Sequence, residues 1–385
     1  MTYIHEQPHW PVFSWNSKTL TTKLAAVRNQ QGLLLGRMAS LGFSLQEESS
    51  LINLTQDIVK SSAIEGEFLN PEEVRSSIAR RMGLEMAGLI PSSRNIDAIV
   101  DMILDATIHY DEPLTSERLF RWQAALFPTG QSGLYKIKTG AWRSKESGPM
   151  QVISGPIGKE KIHFETPSAE RLESEMDQFL AWFNNETSSQ LSDSESMDSI
   201  DPVLKAGIAH LWFITLHPFE DGNGRIARAI SDMALSQADQ TNKRFYSLSS
   251  QIESERKNYY QQLESQQKGR LDITPWLEWF LDCLDRSITN ADILLSKVLY
   301  KAKFWEQVHQ ETQQAGLMLN PRQVLILNKL LGDFEGYLNS SKYAKLAKCS
   351  QDTAARDIRE LLELKILIQN LGKGRSTSYQ LGVIY

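Results

Sequence analysis

The chain has 385 residues, 41% of them hydrophobic, and a net charge of −6. This is the size and composition of an ordinary globular protein with two or three domains, and the mild negative charge argues against a general nucleic-acid or membrane-surface binder. No run of eighteen apolar residues and no leader-like N-terminus is present, so we expect neither a membrane span nor export. Cys283 and Cys349 lie far apart and support no disulfide framework, which fits a cytoplasmic protein.

The first half of the chain is predicted to be largely helical. An aromatic segment with Trp10, Phe13 and Trp15 comes first, and core anchoring explains it better than a binding role. The hydrophobic period and the capping residues then predict helices at Lys18 to Ala39, Leu45 to Glu65, from Pro71 onward, Ile96 to Tyr110 and Ser116 to Leu126.

The helical period breaks between Tyr135 and Pro167. Two short segments, Met150 to Ile153 and Lys161 to Phe164, flank a turn that contains Gly155, Pro156 and Gly158. This pattern predicts a β-hairpin, which could pair with the extended backbone of another protein or could only cover the core. The segment from Asn184 to Asp201 is rich in Ser and acidic residues, and we expect a solvated connection there.

The run from His217 to Arg228 reads HPFEDGNGRIAR and brings together residues that suit phosphate chemistry. Gly222 and Gly224 can adopt positive φ, so backbone N–H groups can turn toward an anion at the start of the following helix. Arg225 and Arg228 lie three apart on one helix face and could hold two phosphates. Asp221 offers an oxygen ligand to Mg²⁺, and His217 can deprotonate a hydroxyl.

This run resembles the HxFx(D/E)GNGRxxR signature of Fic-domain proteins at every specified position. The resemblance implies transfer of AMP from ATP to a Ser, Thr or Tyr hydroxyl of a protein, with release of pyrophosphate. It places Mg²⁺ on Asp221 and charge stabilisation on the N–H groups of Gly222 to Arg225. In the same interpretation the Asn223 amide contacts the α-phosphate and Arg225 the β-phosphate.

Further residues are interpreted through this resemblance. Fic relatives that act as kinases carry a lysine at the position of Gly224, so the glycine favours nucleotidyl transfer. Tyr259 and Tyr260, in a predicted helix from Glu253 to Gln266, are the candidates for stacking the adenine, and a core role is the alternative. Phe219 and His210 are assigned to the core.

An N-terminal segment, SSAIEG from Ser61 to Gly66, resembles the inhibitory (S/T)xxxE(G/N) motif of Fic proteins. Ser61 and Glu65 are one helical turn apart, and Glu65 could pair with Arg228 in place of the γ-phosphate. The alternative is a surface glutamate near a helix end. Relatives with this glutamate can also remove AMP, and they often form homodimers, so we expect a homodimer here.

The segment from Pro321 to Tyr385 is basic, with ten Lys/Arg and six Asp/Glu, a net charge of +4 that leaves −10 for the rest. Its pattern resembles a winged helix-turn-helix, with helices at Arg322 to Leu331, Ser340 to Ala347 and Ser350 to Leu364. Two strands would form a wing around Gly372, Lys373 and Gly374. Gln351, Thr353 and Arg356 could reach DNA bases, and Lys373 and Arg375 phosphates, or the module could bind only protein.

Together these patterns predict a mainly α chain: an N-terminal helical region over 1–110, a Fic helical core with a β-hairpin flap over 111–290, and a linker helix with the winged module over 291–385. The expected function is an autoinhibited protein adenylyltransferase that uses ATP and Mg²⁺ and acts on a protein target, without a membrane partner. The alternative is a DNA-binding regulator in which the Fic domain senses a nucleotide. Transfer of another nucleotide or of phosphocholine is a third option.

Overall fold

The computed structural model describes residues 2–84, 88–145, 150–154, 161–184, 200–332, 334–370 and 377–382. These residues form two compact units, Met1–Asp292 and Ile293–Tyr385. The expectation of a mainly helical chain is confirmed. The boundaries after residues 110 and 290 stay predictions.

The helices of the first unit follow the hydrophobic period of the sequence closely. They are α1 Ser17–Ala39, α2 Phe43–Ile64, α3 Pro71–Arg81, α4 Arg94–Ile108, α5 Ser116–Leu126, α6 Leu172–Phe183, α7 Pro202–Leu216, α8 Asn223–Asp239, α9 Leu248–Ser254 and α10 Arg256–Gln267. A longer helix, α11, spans Thr274–Gln314 and contains the boundary between the units.

Capping side chains set several of the helix starts. Asn16 accepts hydrogen bonds from the backbone N–H groups of Lys18 and Thr19 at the start of α1, and Asn70 caps α3 just before Pro71. One predicted helix is wrong, because the stretch from Glu253 to Gln266 is divided between α9 and α10. Glu255, at φ −116° and ψ 30°, leaves the helical conformation between them.

The core of the first unit lies around α7 and α8. Every residue of α7 from Val203 to Leu216 is buried, as expected for a helix that is apolar on all sides. The ring of Trp212 lies 5.6 Å from that of Phe13 and 6.3 Å from that of Trp10, measured between centroids. The N-terminal aromatic segment therefore anchors to the core through these two residues, as the sequence indicated.

Short antiparallel strand pairs complete the first unit. Strands β1 Gln131–Ser132 and β2 Tyr135–Lys136 form one pair, which the sequence analysis did not predict. Strands β3 Gln151–Ser154 and β4 Lys161–Glu165 form the other, at the place predicted for the hairpin, with a register shift between Val152 and Ile153. The predicted turn with Gly155, Pro156 and Gly158, and residues 185–199 of the Ser-rich connection, lie outside the described residues.

The second unit contains the helices α12 Pro321–Leu330, α13 Ser340–Ala347 and α14 Gln351–Glu363 and the antiparallel strands β5 Leu367–Gln369 and β6 Tyr379–Leu381. Its core includes Ile326, Tyr343, Ile358 and Leu361. The backbone N–H of Thr353 donates to Ser350 Oγ at 3.2 Å, which caps α14. The elements follow the expected order, and the winged helix-turn-helix assignment stays a prediction. Residues 372–375 of the expected wing lie outside the described part.

Across the described residues, no helix is both long and apolar enough to cross a lipid bilayer.

Candidate active site

The candidate site begins where α7 ends, at His217. This residue has φ 49° and ψ 57°, a left-handed conformation that is rare outside glycine, and its N–H still donates to Phe213 O at 3.0 Å. Pro218 disfavours the right-handed helical conformation at the residue before it, which explains the helix end. The chain therefore turns at His217 and leads into the glycine-rich loop.

Arg143, which precedes strand β3 in the chain, holds this turn through hydrogen bonds. Its Nε donates to His217 O at 2.9 Å, and its backbone N–H donates to Pro218 O at 2.9 Å. Its guanidinium also donates to Pro167 O. Burial lowers the pKa of Arg143 to about 10, which leaves the guanidinium charged near neutral pH. Arg143 was not predicted as a site residue, because no motif surrounds it in the sequence.

The surroundings of His217 decide the protonation state of its imidazole. Its pKa is lowered to about 4, mainly by burial and also by the nearby Arg143 charge, against the opposite effects of the Ile214 carbonyl and of Glu65 and Asp221. The ring is therefore neutral at pH 7. The Nδ1 atom lies 3.4 Å from Ile214 O, which favours the proton on Nδ1 and leaves the lone pair of Nε2 for a substrate hydroxyl.

The glycine-rich loop is closed by Gly222 and Asn223. Gly222 has φ +88°, and a Cβ at this position would lie 3.0 Å from atoms of Leu126 and Phe127, so the site requires glycine. The side chain of Asn223 accepts from Phe219 N at 2.9 Å and donates to Phe219 O at 2.8 Å. The buried amide of Asn223 therefore holds the loop. Its contact with an α-phosphate stays a prediction.

The start of α8 forms an anion cradle, which consists of the backbone N–H groups of Gly224 and Arg225 and the guanidinium groups of Arg225 and Arg228. The first intrahelical bond joins Ile226 N to Gly222 O at 3.0 Å, so Gly224 and Arg225 have N–H groups that precede the helical ladder. The guanidinium of Arg225 lies 5.1 Å over the ring of Phe127, and its buried Nε has no hydrogen-bond acceptor among the described residues. A phosphate oxygen would satisfy such donors.

Ser61 and Glu65 meet Arg228 at the end of α2. Arg228, only 1% exposed, donates from Nε to Ser61 Oγ at 2.9 Å and from Nη2 to Ser61 O at 2.8 Å. Its Nη1 lies 2.9 Å from Glu65 Oε1. The contact suggested by the SSAIEG segment is therefore present, and the carboxylate lies on the second arginine of the cradle.

Glu65 also lies against the cradle itself. A Cβ built on Gly224 would be 2.1 Å from Glu65 Oε1, which is far inside the contact distance. The Glu65 carboxylate therefore occupies the space directly beside the Gly224 backbone.

A second acidic residue, Glu67, reaches the other arginine. Its Oε2 lies 2.6 Å from Arg225 Nη1, and its Oε1 accepts from Asn95 Nδ2 at 3.0 Å. The sequence analysis did not identify Glu67, since the inhibitory motif ends at Gly66. The only signal in the sequence was a second carboxylate two residues after Glu65.

The two tyrosines nominated for the adenine have different environments. Tyr259 is 1% exposed and its hydroxyl lies 2.8 Å from His210 Nε2, so it belongs to the core, which corrects the expectation for this residue. Tyr260 is 38% exposed, and its hydroxyl lies 3.5 Å from Glu65 Oε2. Of the two tyrosines only Tyr260 is exposed, and it lies beside the cradle with the Arg256 guanidinium 5.6 Å over its ring.

Asp221, the candidate Mg²⁺ ligand, lies half-buried at the loop. Its Oδ1 accepts from Gly222 N at 2.6 Å, and its Oδ2 accepts from Ser132 in β1. The described residues contain no cluster of three or more potential metal ligands. One carboxylate is nevertheless sufficient for Mg²⁺ when nucleotide phosphates and waters complete its shell, so the donor set fits that ion.

The hairpin formed by β3 and β4 is tied to α10. His163 Nδ1 in β4 lies 2.6 Å from Glu264 Oε2. Burial raises the pKa of Glu264, but hydrogen bonds from Lys268 and His163 outweigh it and lower the pKa to about 2. The hairpin therefore has a charged anchor on the helix that also carries Tyr260.

Residues 113–235 match a family model described as the Fic/DOC family, and residues 3–84 match one described as a domain of unknown function, DUF4172. The chain is 22% identical over 235 residues to a protein adenylyltransferase Fic of Nematostella vectensis, which covers 60% of this chain and 47% of that protein. It is 31% identical over 113 residues to a protein adenylyltransferase Fic of Drosophila virilis, covering 29% of this chain and 20% of that protein. The chain thus spans less than half the length of these relatives.

Among solved structures, a Fic family protein from Desulfovibrio desulfuricans matches with a TM-score of 0.51 at 20% identity, covering 97% of this chain and 98% of that chain. This likeness concerns the fold alone. The match of residues 113–235 to the family model and the similarity to the curated relatives lead to one conclusion: the chain carries a Fic/DOC domain and is homologous to Fic protein adenylyltransferases.

Proposed function

We propose that the chain is an autoinhibited protein adenylyltransferase, which transfers AMP from ATP to a Ser, Thr or Tyr hydroxyl of a target protein. The observation that supports this most directly is the position of His217. A neutral imidazole with an available Nε2 comes six residues before the start of α8, whose first N–H groups precede the helical ladder and which carries two arginines. This arrangement suits in-line attack of a hydroxyl on a bound phosphate.

In the proposed reaction His217 Nε2 accepts the proton of the attacking hydroxyl. The hydroxyl oxygen bonds to the α-phosphorus while the bond from that phosphorus to the bridging oxygen breaks, and pyrophosphate leaves with the electron pair. The N–H groups of Gly224 and Arg225 stabilise the charge on the phosphates, and the arginines hold the β- and γ-phosphates. When bound at Asp221, Mg²⁺ would neutralise charge on the phosphate chain.

The proposed autoinhibition rests on the Glu65 contact. ATP needs Arg228 for its γ-phosphate, whereas Glu65 occupies that guanidinium and adds a like charge near the phosphate. ATP can then bind only in a pose unsuited to attack. Removal of AMP from a modified target, with Glu65 orienting a water, is the second activity that we propose for this site.

Purified Glu65→Gly incubated with labelled ATP and a cell lysate tests the proposal. We expect label on the protein itself and on target bands, at least tenfold above wild type, because the like charge is gone and Arg228 is released. His217→Ala in the Glu65→Gly background is the matched control and should abolish the label. If Glu65→Gly labels no more than wild type, autoinhibition by Glu65 is wrong. Label that survives in the double variant would exclude His217 as the base.

The phosphate cradle alone does not identify the transferred group. Parallel incubations with labelled GTP, CTP, UTP and CDP-choline address the third option, and the proposal expects ATP to give the strongest label. Tyr260 is the residue proposed to favour the adenine.

A DNA-binding regulator is the second candidate, and the exposure of α14 favours it. Gln351 and Arg356 are exposed on this helix, and Lys342 and Lys345 are exposed on α13. A DNA mobility shift of the whole chain that weakens steeply with salt would support this function. The proposed homodimer is checked by sedimentation of the same preparation.

A further inference from the structure

Each arginine of the cradle has its own glutamate. Glu65 lies on Arg228, and Glu67 lies on Arg225 with a distance of 2.6 Å between Oε2 and Nη1. Both guanidinium groups are more than nine-tenths buried, so their charges are poorly screened by solvent. The two carboxylates together cancel the two positive charges that would attract a polyphosphate.

The backbone after α2 fixes both carboxylates. Gly66, with φ +85°, donates its N–H to Ala63 O at 3.0 Å, and the N–H of Glu67 donates to Ser62 O at 3.0 Å. These two bonds form the closing turn that commonly ends a helix at a left-handed glycine. Glu65 and Glu67 therefore leave the same rigid turn toward neighbouring arginines.

The Glu67 contact has a support of its own, independent of Glu65. Asn95 at the start of α4 donates to Glu67 Oε1 at 3.0 Å, which orients the other carboxylate oxygen toward Arg225. Arg225 still has a buried Nε without an acceptor among the described residues. Glu67 thus engages part of the guanidinium and leaves another donor unsatisfied, which is the state expected of an anion site held by a competitor.

We propose that Glu67 is a second inhibitory residue, which competes with the β-phosphate for Arg225 while Glu65 competes with the γ-phosphate for Arg228. This inference rests on the proposed function, since it takes a nucleoside polyphosphate as the ligand. It makes the inhibition depend on the number of phosphates. Glu65 opposes only a triphosphate, whereas Glu67 opposes a diphosphate and a triphosphate, and neither opposes a monophosphate.

The test measures the affinity of the whole chain for AMP, ADP and ATP with Mg²⁺ by calorimetry. Glu67→Gln keeps the size of the side chain and an acceptor for Asn95 but removes the charge. We expect ADP and ATP to bind about fivefold tighter than to wild type and AMP to bind unchanged. Glu65→Gly should increase the affinity for ATP alone. The double variant, Glu65→Gly with Glu67→Gln, should show both increases. Glu72→Gln makes the same charge change at an exposed acid on α3 that forms no ion pair with an arginine among the described residues, and it should leave all three affinities unchanged.

Three results would overturn the inference. If Glu67→Gln binds ADP as wild type does, or more weakly, Glu67 only positions Arg225. If Glu72→Gln tightens ADP as much as Glu67→Gln, the effect is one of net charge. If none of the variants binds any nucleotide, the proposed function fails together with the inference, whereas nucleotide binding and labelling by Glu65→Gly with an inert Glu67→Gln would leave the function standing.

Discussion

His217 combines a strained backbone with a shifted pKa. A left-handed conformation costs a non-glycine residue about 1–2 kcal/mol, and such strain persists only where surrounding contacts enforce it. Here the contacts are the carbonyl of Phe213 and the guanidinium of Arg143. The turn at His217 keeps its imidazole near the last turn of α7, with Nδ1 3.4 Å from Ile214 O, while the backbone leads into the glycine-rich loop.

A second histidine shows the same shift without an exposed ring. His210 lies between Ser231 Oγ at 2.9 Å and Tyr259 Oη at 2.8 Å. Because Ser231 donates its own proton to Ala227 O, His210 Nδ1 carries the proton and Nε2 accepts from the tyrosine. Burial, and secondarily the Arg228 charge, lower the pKa of His210 to about 3.

From the lowered pKa values of His210 and His217 we expect the folded protein to lose stability in mild acid. The unfolded chain protonates its histidines near pH 6.5, whereas the folded chain keeps His210 and His217 neutral down to about pH 3 and about pH 4. Between about pH 3 and pH 6.5 the unfolded state therefore binds more protons than the folded state. The free energy of unfolding is highest above pH 6.5 and falls as the pH drops below it. For His210 the loss from pH 7 to pH 5 is on the order of 2 kcal/mol.

The melting temperature at pH 7 and pH 5, measured for wild type and His210→Gln, checks this expectation. The wild type should lose several degrees more than the variant on going to pH 5. An equal loss in both proteins would contradict the assignment to His210.

At the scale of elements, the turn that ends α2 carries Glu65 and Glu67, the two carboxylates for which we propose an inhibitory role. It is held on one side by buried polar contacts of α2, among them Asp57 Oδ1, which accepts from Ser247 Oγ at 2.6 Å and from Ser249 N at 3.1 Å. The turn itself depends on Gly66 and its positive φ. A change of this one backbone position should therefore affect both carboxylates at once.

Gly66→Ala is expected to weaken the inhibition without removing either acid. No atom lies within 4 Å of the added Cβ, so the cost is the backbone strain alone, about 1 kcal/mol. Labelling by ATP should fall between wild type and Glu65→Gly. Gly36→Ala in α1 is the matched control, because that glycine has the same free space without a positive φ, and it should label as wild type does. A Gly66→Ala protein that melts lower but labels as wild type would argue against the role of the turn.

At the scale of the whole molecule, the chain consists of two compact units, and the second has a core of its own that includes Leu361. We expect two transitions in calorimetry. Leu361→Ala should lower only one of them, since loss of a buried leucine costs about 2–5 kcal/mol. A non-hydrolysable ATP analogue with Mg²⁺ should raise only the transition temperature of the first unit, which contains the candidate site. A single transition that responds to both changes would show that the units unfold together.

Most of the fold of this chain, and part of the candidate site, could be predicted from local sequence patterns. Helix limits such as those of α1, α5 and α13 follow from period and caps, and the loop around Asp221 follows from a contiguous run of residues. Arg143 and Glu67 escaped prediction because their partners lie 74 and 158 residues away in the chain. Tyr259 was misassigned because periodicity alone does not tell which side of a helix such as α10 faces the core.

The closeness of Glu65 to the Gly224 backbone has a consequence for how this protein can change. Any side chain at position 224 would collide with the carboxylate, so a substitution there also displaces Glu65 from Arg228. A lysine introduced at this position would therefore be expected to remove the proposed inhibitory contact in the same step. Under the proposed inhibition, keeping the contact between Glu65 and Arg228 therefore also requires glycine at position 224.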